Sequence, residues 1–398
     1  MTRSGATTPG GRRRTVVVGA AAIETARRGH PWIWQRAVLR GAEGAAPGED
    51  VRVVGEDGAI LGHGLCDPGS AIAIRLWTHG DVAITRSVFA ERVARAFALR
   101  ARWLDAETDA YRLLHGEGDR APGFVVDRYG DAAVLRPDGA AASARIDDVV
   151  AALAPELERI GVASLVLRER DAREGPRALL GELPPERVTV REHGVPFVVD
   201  LLRGQKTGAF LDQRDNRRRV GELARGRRVL NLFSYAGGFS LRAALGGAAH
   251  VTSVDVAASA HAAAEVSFRA AGIDPRAHEF VTADVFAFLD AAKKRGQRWD
   301  VVVSDPPSFA PNEKAVPRAL TAYRTLHRAC ADVLEDGGIF CAASCSSHVD
   351  ARAFAATLDD AALGRGDLRV LETRGAPCDH PTLAAFPEGR YLKFFVLA

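Results

Sequence analysis

The stretch Arg228-VLNLFSYAGGFSLRAALGGAAHVTSV-Asp255 decides the fold. Val229 to Phe233 is apolar apart from Asn231 and reads as a buried strand. Ser234-Tyr235-Ala236-Gly237-Gly238 is a turn, Phe239 to Leu245 carries helical spacing, and Val251 to Val254 is a second buried run that closes on Asp255. Strand, helix and strand make a βαβ unit. The crevice at the carboxyl ends of such strands takes a nucleoside-type ligand, and glycines let the backbone come close to it. Asp255, ending the second strand, is placed to accept hydrogen bonds from both ribose hydroxyls. The glycines spell neither G-x-G-x-x-G nor a P-loop, so alone they also fit a plain βα turn.

Three further strands narrow the choice. Val281-Thr282-Ala283-Asp284 predicts a third strand ending in an acid, and Trp299 to Ser304 a fourth that runs into Asp305-Pro306-Pro307-Ser308-Phe309. A fifth, Gly337 to Ala343, delivers Ser344-Cys345-Ser346-Ser347-His348 directly before a new helix. This order resembles a class I S-adenosylmethionine (SAM) methyltransferase, whose Asp-Pro-Pro-aromatic loop faces the base to be methylated. The resemblance implies a Rossmann-like α/β domain with SAM as its cofactor. Asn231, Phe233, Ser234, Gly237, Phe239, Asp255, Asp284 and Asp305 would line the cofactor site. Pro306, Pro307 and Phe309 would face the substrate.

A chain of 398 residues suggests two or three domains. The net charge of +3 is too small to announce a nucleic-acid partner, and only five of the 53 basic residues are lysine, so a basic surface has to be argued locally. Cys66, Cys330, Cys341, Cys345 and Cys378 are odd in number and form no C-x-x-C pair. That argues against a disulfide framework or a structural zinc, and for a reduced, cytoplasmic setting. Arg12-Arg13-Arg14 before an apolar run mimics a short signal peptide, but the run equally suits a first β-strand. No stretch approaches the roughly 20 apolar residues of a membrane span.

In chain order, residues 1–14 read as a disordered tail. Residues 15–82 carry short strands broken by Gly and Pro, the pattern of a small β-barrel. Gly29-His30-Pro31-Trp32-Ile33-Trp34 and Gly62-His63-Gly64 there resemble the PUA domain, a small RNA-binding barrel, of bacterial rRNA methyltransferases. Residues 83–203 begin with an amphipathic helix over Thr85 to Leu104 and continue as an α+β unit joining the barrel to the enzyme core. Residues 204–398 hold the catalytic domain. It opens on Gly204-Gln205-Lys206-Thr207-Gly208, a turn, and Asp212, an acid suited to capping the helix that carries Arg214. In the resembling family this segment lies beside the SAM pocket, which assigns Gln213 and Arg214 to its wall.

Cysteine chemistry explains the fifth strand. Carbon 5 of cytosine is too poor a nucleophile to take a methyl group directly, whereas a thiolate adding to carbon 6 turns the ring into an enamine that can. Cys345 is where that thiol must be, and a helix start just after it would favour the thiolate. Asp305 is the expected partner for the ring. Cys341, Cys330 and Cys66 read as packing residues.

With GQKTGAFLDQR, NLFSYAGGFS, DPPSF, SCS and DHP…FPEGRYLK taken together, the chain resembles the RlmI-like bacterial 23S rRNA (cytosine-5)-methyltransferases from about Thr15 to its end. The resemblance implies Cys345 and Asp305 as catalytic residues, 23S ribosomal RNA as partner, and neither metal nor membrane. A second copy of the chain is a further candidate partner. The rivals are a guanine-N-methylating rRNA enzyme, which needs no nucleophilic cysteine, and an assembly factor that binds SAM and RNA without turnover.

Overall fold

The computed structural model describes residues 13–169, 175–204 and 206–398. Nearly all of the tail expected over 1–14, and Gln205 of the GQKTG word, lie outside the described residues.

The first six strands, Thr15–Val18, Trp32–Trp34, Val38–Arg40, Asp50–Gly55, Ile60–Cys66 and Ile72–His79, form one sheet. It wraps a small core of its own, with Val16, Ile33, Val51 and Ile74 at the centre. The apolar run after Arg14 is strand only as far as Val18; Ala20–Arg27 is a helix. Helix Arg86–Trp103 buries Val88, Phe89, Val93 and Phe97, as its spacing predicts, against a five-stranded sheet that begins at Ala110–His115. A separate hairpin, Arg187–Glu192 with Val195–Asp200, turns at His193 and Gly194. Both have positive φ, 46° and 74°, as a tight hairpin turn requires.

The last unit is a seven-stranded sheet: β1 Arg228–Leu232, β2 His250–Asp255, β3 Glu279–Thr282, β4 Trp299–Ser304, β5 Leu334–Ser344, β6 Val370–Arg374 and β7 Lys393–Leu397. Its order is β3-β2-β1-β4-β5-β7-β6. β1 to β5 run parallel, while β7 inserts antiparallel between β5 and β6. Alternate residues feed two cores. Leu230, Leu232, Val302 and Phe340 face Tyr323 on one side, and Val229, Val301, Cys341 and Phe394 face Phe239 on the other. The strand order reverses between β1 and β4, and crevices at such reversals lie at the carboxyl strand ends.

The three parts are bolted together by buried groups. Asp379, of the Asp-His-Pro word, accepts two hydrogen bonds from the Arg214 guanidinium (2.9 and 3.0 Å) and one from the Arg112 backbone amide, and its carbonyl accepts from Arg100. On the other flank, Phe386 packs edge-on against Trp32 and His30 of the first sheet, and His30 meets Glu388 at 3.2 Å.

Candidate active site

The crevice has two ends. At one, the chain leaves β1 through Phe233 and Tyr235, both at positive φ (57° and 45°), a conformation that costs a non-glycine residue energy and persists where surroundings over-determine it. Gly237 follows at φ 73°, and a Cβ there would stand 2.7 Å from the Ala264 Cβ. The loop is tied to the next strand: Asp255 accepts from the Tyr235 amide (2.8 Å) and the Ala257 amide (2.9 Å). Each of its oxygens keeps a second lone pair to offer a ribose hydroxyl. Among the described residues, Ser234 Oγ and Asn231 Oδ1 are buried without a hydrogen-bond partner, a state that bound polar ligands relieve. These features fit a nucleoside cofactor.

Asp284 ends the loop after β3 in the open, where it caps a helix through the Ala287 amide. Two exposed apolar side chains that the sequence reading passed over stand beside the acids, Val256 next to Asp255 and Phe286 two residues beyond Asp284. Two expected cofactor residues turn elsewhere. Phe239 lies in the core beneath the sheet, stacked on Phe394, and Arg214 is committed to Asp379.

At the other end, β4 and β5 deliver Asp305 and Cys345 to one edge: Ser304 pairs with Ala342 in parallel register, so Cys345 lies two residues beyond the level of Asp305, whose charge acts on the thiol. Gln213 donates to Asp305 Oδ2 at 3.0 Å, which places the FLDQR segment against the same acid. Pro306 is buried and stiffens the loop, Pro307 is exposed, and half-buried Phe309 leans on Tyr323 with ring centroids 4.9 Å apart.

Cys345 is half-buried. The helix expected directly after it begins only at Ala351, capped by Asp350, so no helix start lies at the sulfur. Its thiol is pushed up from the ordinary value, by burial first and then by Asp305 and Asp212; Lys206 and Lys393 act in the opposite sense. Burial and the neighbouring Asp212 charge likewise push Asp305 up to about 7. Burial would raise Asp212 as well, but Lys206, His380, a hydrogen bond from Tyr391 and Arg112 overcome it and hold that carboxyl well below the usual range. Two neighbouring acids thus have divergent ionisation, an arrangement suited to acid–base work. Cys330 and Cys341 are fully buried and pushed up by burial, Cys341 to about 12, as inert packing thiols should be.

Sequence reasoning reads Asp212 as a helix cap and gives Lys393 no role of its own. The helix Arg214–Leu223 has no side-chain cap; Asp212 instead accepts from Tyr391 Oη (2.7 Å) and Lys206 Nζ (3.3 Å). Lys393 is buried beside Ser344 of β5 and donates to the carbonyls of Ser346 (2.5 Å) and Tyr391 (2.8 Å); burial lowers it to about 8. The words FLDQR and GRYLK hold these residues, but nothing in their spacing says that they meet. Lys206, Thr207 and Tyr391 line a cleft of about 760 Å³ together with Arg112, Phe124 and Arg136.

Among the described residues, no group of three or more His, Cys, Asp or Glu could hold a metal ion, and no helix is long and apolar enough to cross a membrane.

Comparison with known proteins agrees with this geometry. Residues 140–388 match the family described as S-adenosylmethionine-dependent methyltransferase, and residues 16–79 match a PUA-like domain. The chain is 36% identical over 376 residues to the ribosomal RNA large subunit methyltransferase I of Escherichia coli O139:H28, covering 92% of this chain and 95% of that one. The protein of the same name from Klebsiella pneumoniae is also 36% identical, with coverages of 92% and 94%. Two solved structures superpose with a TM-score of 0.86 at 26% identity, covering 96% of this chain and 99% of theirs. One is provisionally assigned as a methyltransferase and complexed with SAH; the other, from Streptococcus mutans, is provisionally assigned as a SAM-dependent methyltransferase. With a PUA-like domain ahead of a SAM-binding sheet, and a likeness that runs nearly end to end, the chain belongs to the ribosomal RNA large subunit methyltransferase I family of SAM-dependent methyltransferases.

Proposed function

We propose that the protein methylates carbon 5 of a cytosine in large-subunit (23S) ribosomal RNA through a covalent adduct to Cys345. The observation that carries the reading is the pairing of a half-buried thiol with an acid poised near neutrality at the mouth of one crevice, Cys345 beside Asp305. The name of the relatives supplies the class of RNA. A guanine-N-methylating enzyme would have no use for such a thiol.

SAM, when bound, supplies an electrophilic methyl group. Ser234, Asn231, Gly237 and Asp255 hold and orient it, and Asp284 stands at the outer rim. Near neutral pH Asp305 exists both as carboxylate and as acid. As carboxylate it takes the Cys345 proton while the sulfur bonds to carbon 6; as acid it returns a hydrogen bond to ring nitrogen 3, neutralising the charge that the sulfur's electron pair pushes into the ring. Carbon 5 then takes the methyl group. Water takes the proton from carbon 5, and the C–H electron pair restores the double bond to carbon 6 and expels the sulfur as thiolate. Lys206 and Lys393 favour that leaving group, because both lower the thiol's affinity for a proton.

In this reading residues 15–82 grip RNA, 83–203 form a rigid connector, and 204–398 do the chemistry. The cleft of about 760 Å³ is lined by Lys206, whose charge acts on the Cys345 thiol, and a base flipped from its strand would enter there. Mass analysis of ribosomal RNA treated with the protein and SAM tests the proposal: the product is 5-methylcytidine. A methylated guanine, or full transfer by Cys345→Ala, would overturn it.

A further inference from the structure

Asp212 has two features that its place in the fold does not explain. The residue is only 4% exposed, yet among the described residues Oδ1 has no hydrogen-bond partner, while Oδ2 takes both Tyr391 Oη and Lys206 Nζ. An ionised oxygen left bare in a buried setting is strongly unfavourable unless something else donates to it. It also sits within the reacting cluster, since its charge acts on both Asp305 and Cys345. Its two partners, Lys206 and Tyr391, line the cleft, so Asp212 lies directly behind that lining.

We infer that Asp212 selects the base: Oδ1 accepts a hydrogen bond from the exocyclic amine of cytosine, so that the ring is held by its amine edge while the sulfur approaches carbon 6. This rests on the cytosine reading above and deepens it. A carboxylate accepts from the cytosine amine and repels the carbonyl oxygen that uracil carries at the same place. Neighbouring Asp305, near neutrality and in part protonated, serves nitrogen 3, so the two acids take adjacent positions on one edge of the base. Lys206, His380 and Arg112 hold Asp212 ionised, and Tyr391 and Lys206 occupy Oδ2, which leaves Oδ1 as the oxygen without a partner. A site built to receive a hydrogen bond rejects the base that cannot make it by a large factor.

The test uses the full-length protein and a transcript containing the mapped target, with cytosine or uracil at that position, in three arms. Wild type yields 5-methylcytidine and prefers cytosine by at least about a thousandfold in kcat/KM. Asp212→Asn, whose amide can donate to the uracil oxygen, loses about a hundredfold or more on cytosine and narrows the preference at least a hundredfold, with SAM affinity unchanged. Wild type acts at least a hundredfold more slowly on N4,N4-dimethylcytosine, which has no amine proton; this arm needs no variant to fold. A fall by one common factor on cytosine and uracil, or dimethylcytosine methylated within about threefold of cytosine, overturns the role of Asp212 while leaving 5-methylcytidine as the product. A wild-type product other than 5-methylcytidine overturns the cytosine reading itself.

Discussion

Asp305→Asn should make the protein more stable at alkaline pH while disabling it. The wild-type carboxyl is raised from 3.8 to about 7, by burial and then by the Asp212 charge, and at 1.4 kcal/mol per unit that is up to about 4 kcal/mol. The sign follows from linkage. A carboxyl whose folded-state value lies above its unfolded value adds stability fully present below pH 3.8 and lost as pH rises through about 7. Roughly 1.5 kcal/mol is gone by pH 5, and a further 2–3 kcal/mol goes between pH 5 and pH 8. Asparagine does not ionise and keeps an oxygen for the Gln213 amide, so the variant escapes that loss. Native-state hydrogen exchange of the β4 amides, corrected for intrinsic rates, reads the local unfolding free energy without assuming that all three parts unfold together. The expected result is a variant-minus-wild-type difference that grows by about 2–3 kcal/mol from pH 5 to pH 8. A difference constant to within about 0.5 kcal/mol would refute the reasoning, because an acid ionised throughout that range gives no such slope.

Asp255→Ala should raise the SAM dissociation constant about 10- to 100-fold by calorimetry, a loss of about 1–3 kcal/mol for hydrogen bonds to a charged acceptor; unchanged binding would contradict its role at the ribose. Gly237→Ala forces a Cβ to 2.7 Å from that of Ala264 at φ 73°, so its thermal midpoint should fall and SAM affinity with it. Asp379→Ala strands the buried Arg214 guanidinium and should cost about 3–5 kcal/mol in stability, read by urea unfolding, whereas a near-neutral result would mean that the pair is not desolvated.

The parts of the fold legible in the sequence are those where local chemistry and burial agree. The βαβ unit from Val229 to Asp255 can be read because strands covered on both faces are continuous apolar runs, and because Gly237 marks a backbone position with no room for a side chain. Cys345 and Asp305 can be placed together because parallel strands put successive carboxyl ends at one edge. The error at Cys345 is instructive: a helix is expected directly after the Ser344 to His348 segment and close enough to act on the sulfur, yet it starts only at Ala351, and burial raises the thiol instead of lowering it. Local reading could not show that Asp212, Tyr391 and Lys206 converge, since Asp212 and Tyr391 lie 179 positions apart and meet only through tertiary packing. Phe239 and Arg214 fail for a related reason. Both belong to recognisable words, but a word does not say which face of its element turns inward.

The central claim is that the Cys345 sulfur bonds to the base during turnover. Incubating the protein with SAM and RNA carrying 5-fluorocytosine at the target blocks loss of the group at carbon 5 and should leave a protein–RNA complex stable to denaturation. Peptide mass mapping should find the adduct at Cys345, with none formed by Cys345→Ala. A bond to another residue, or Cys345→Ala transferring methyl groups to unmodified RNA at the wild-type rate, would contradict the account.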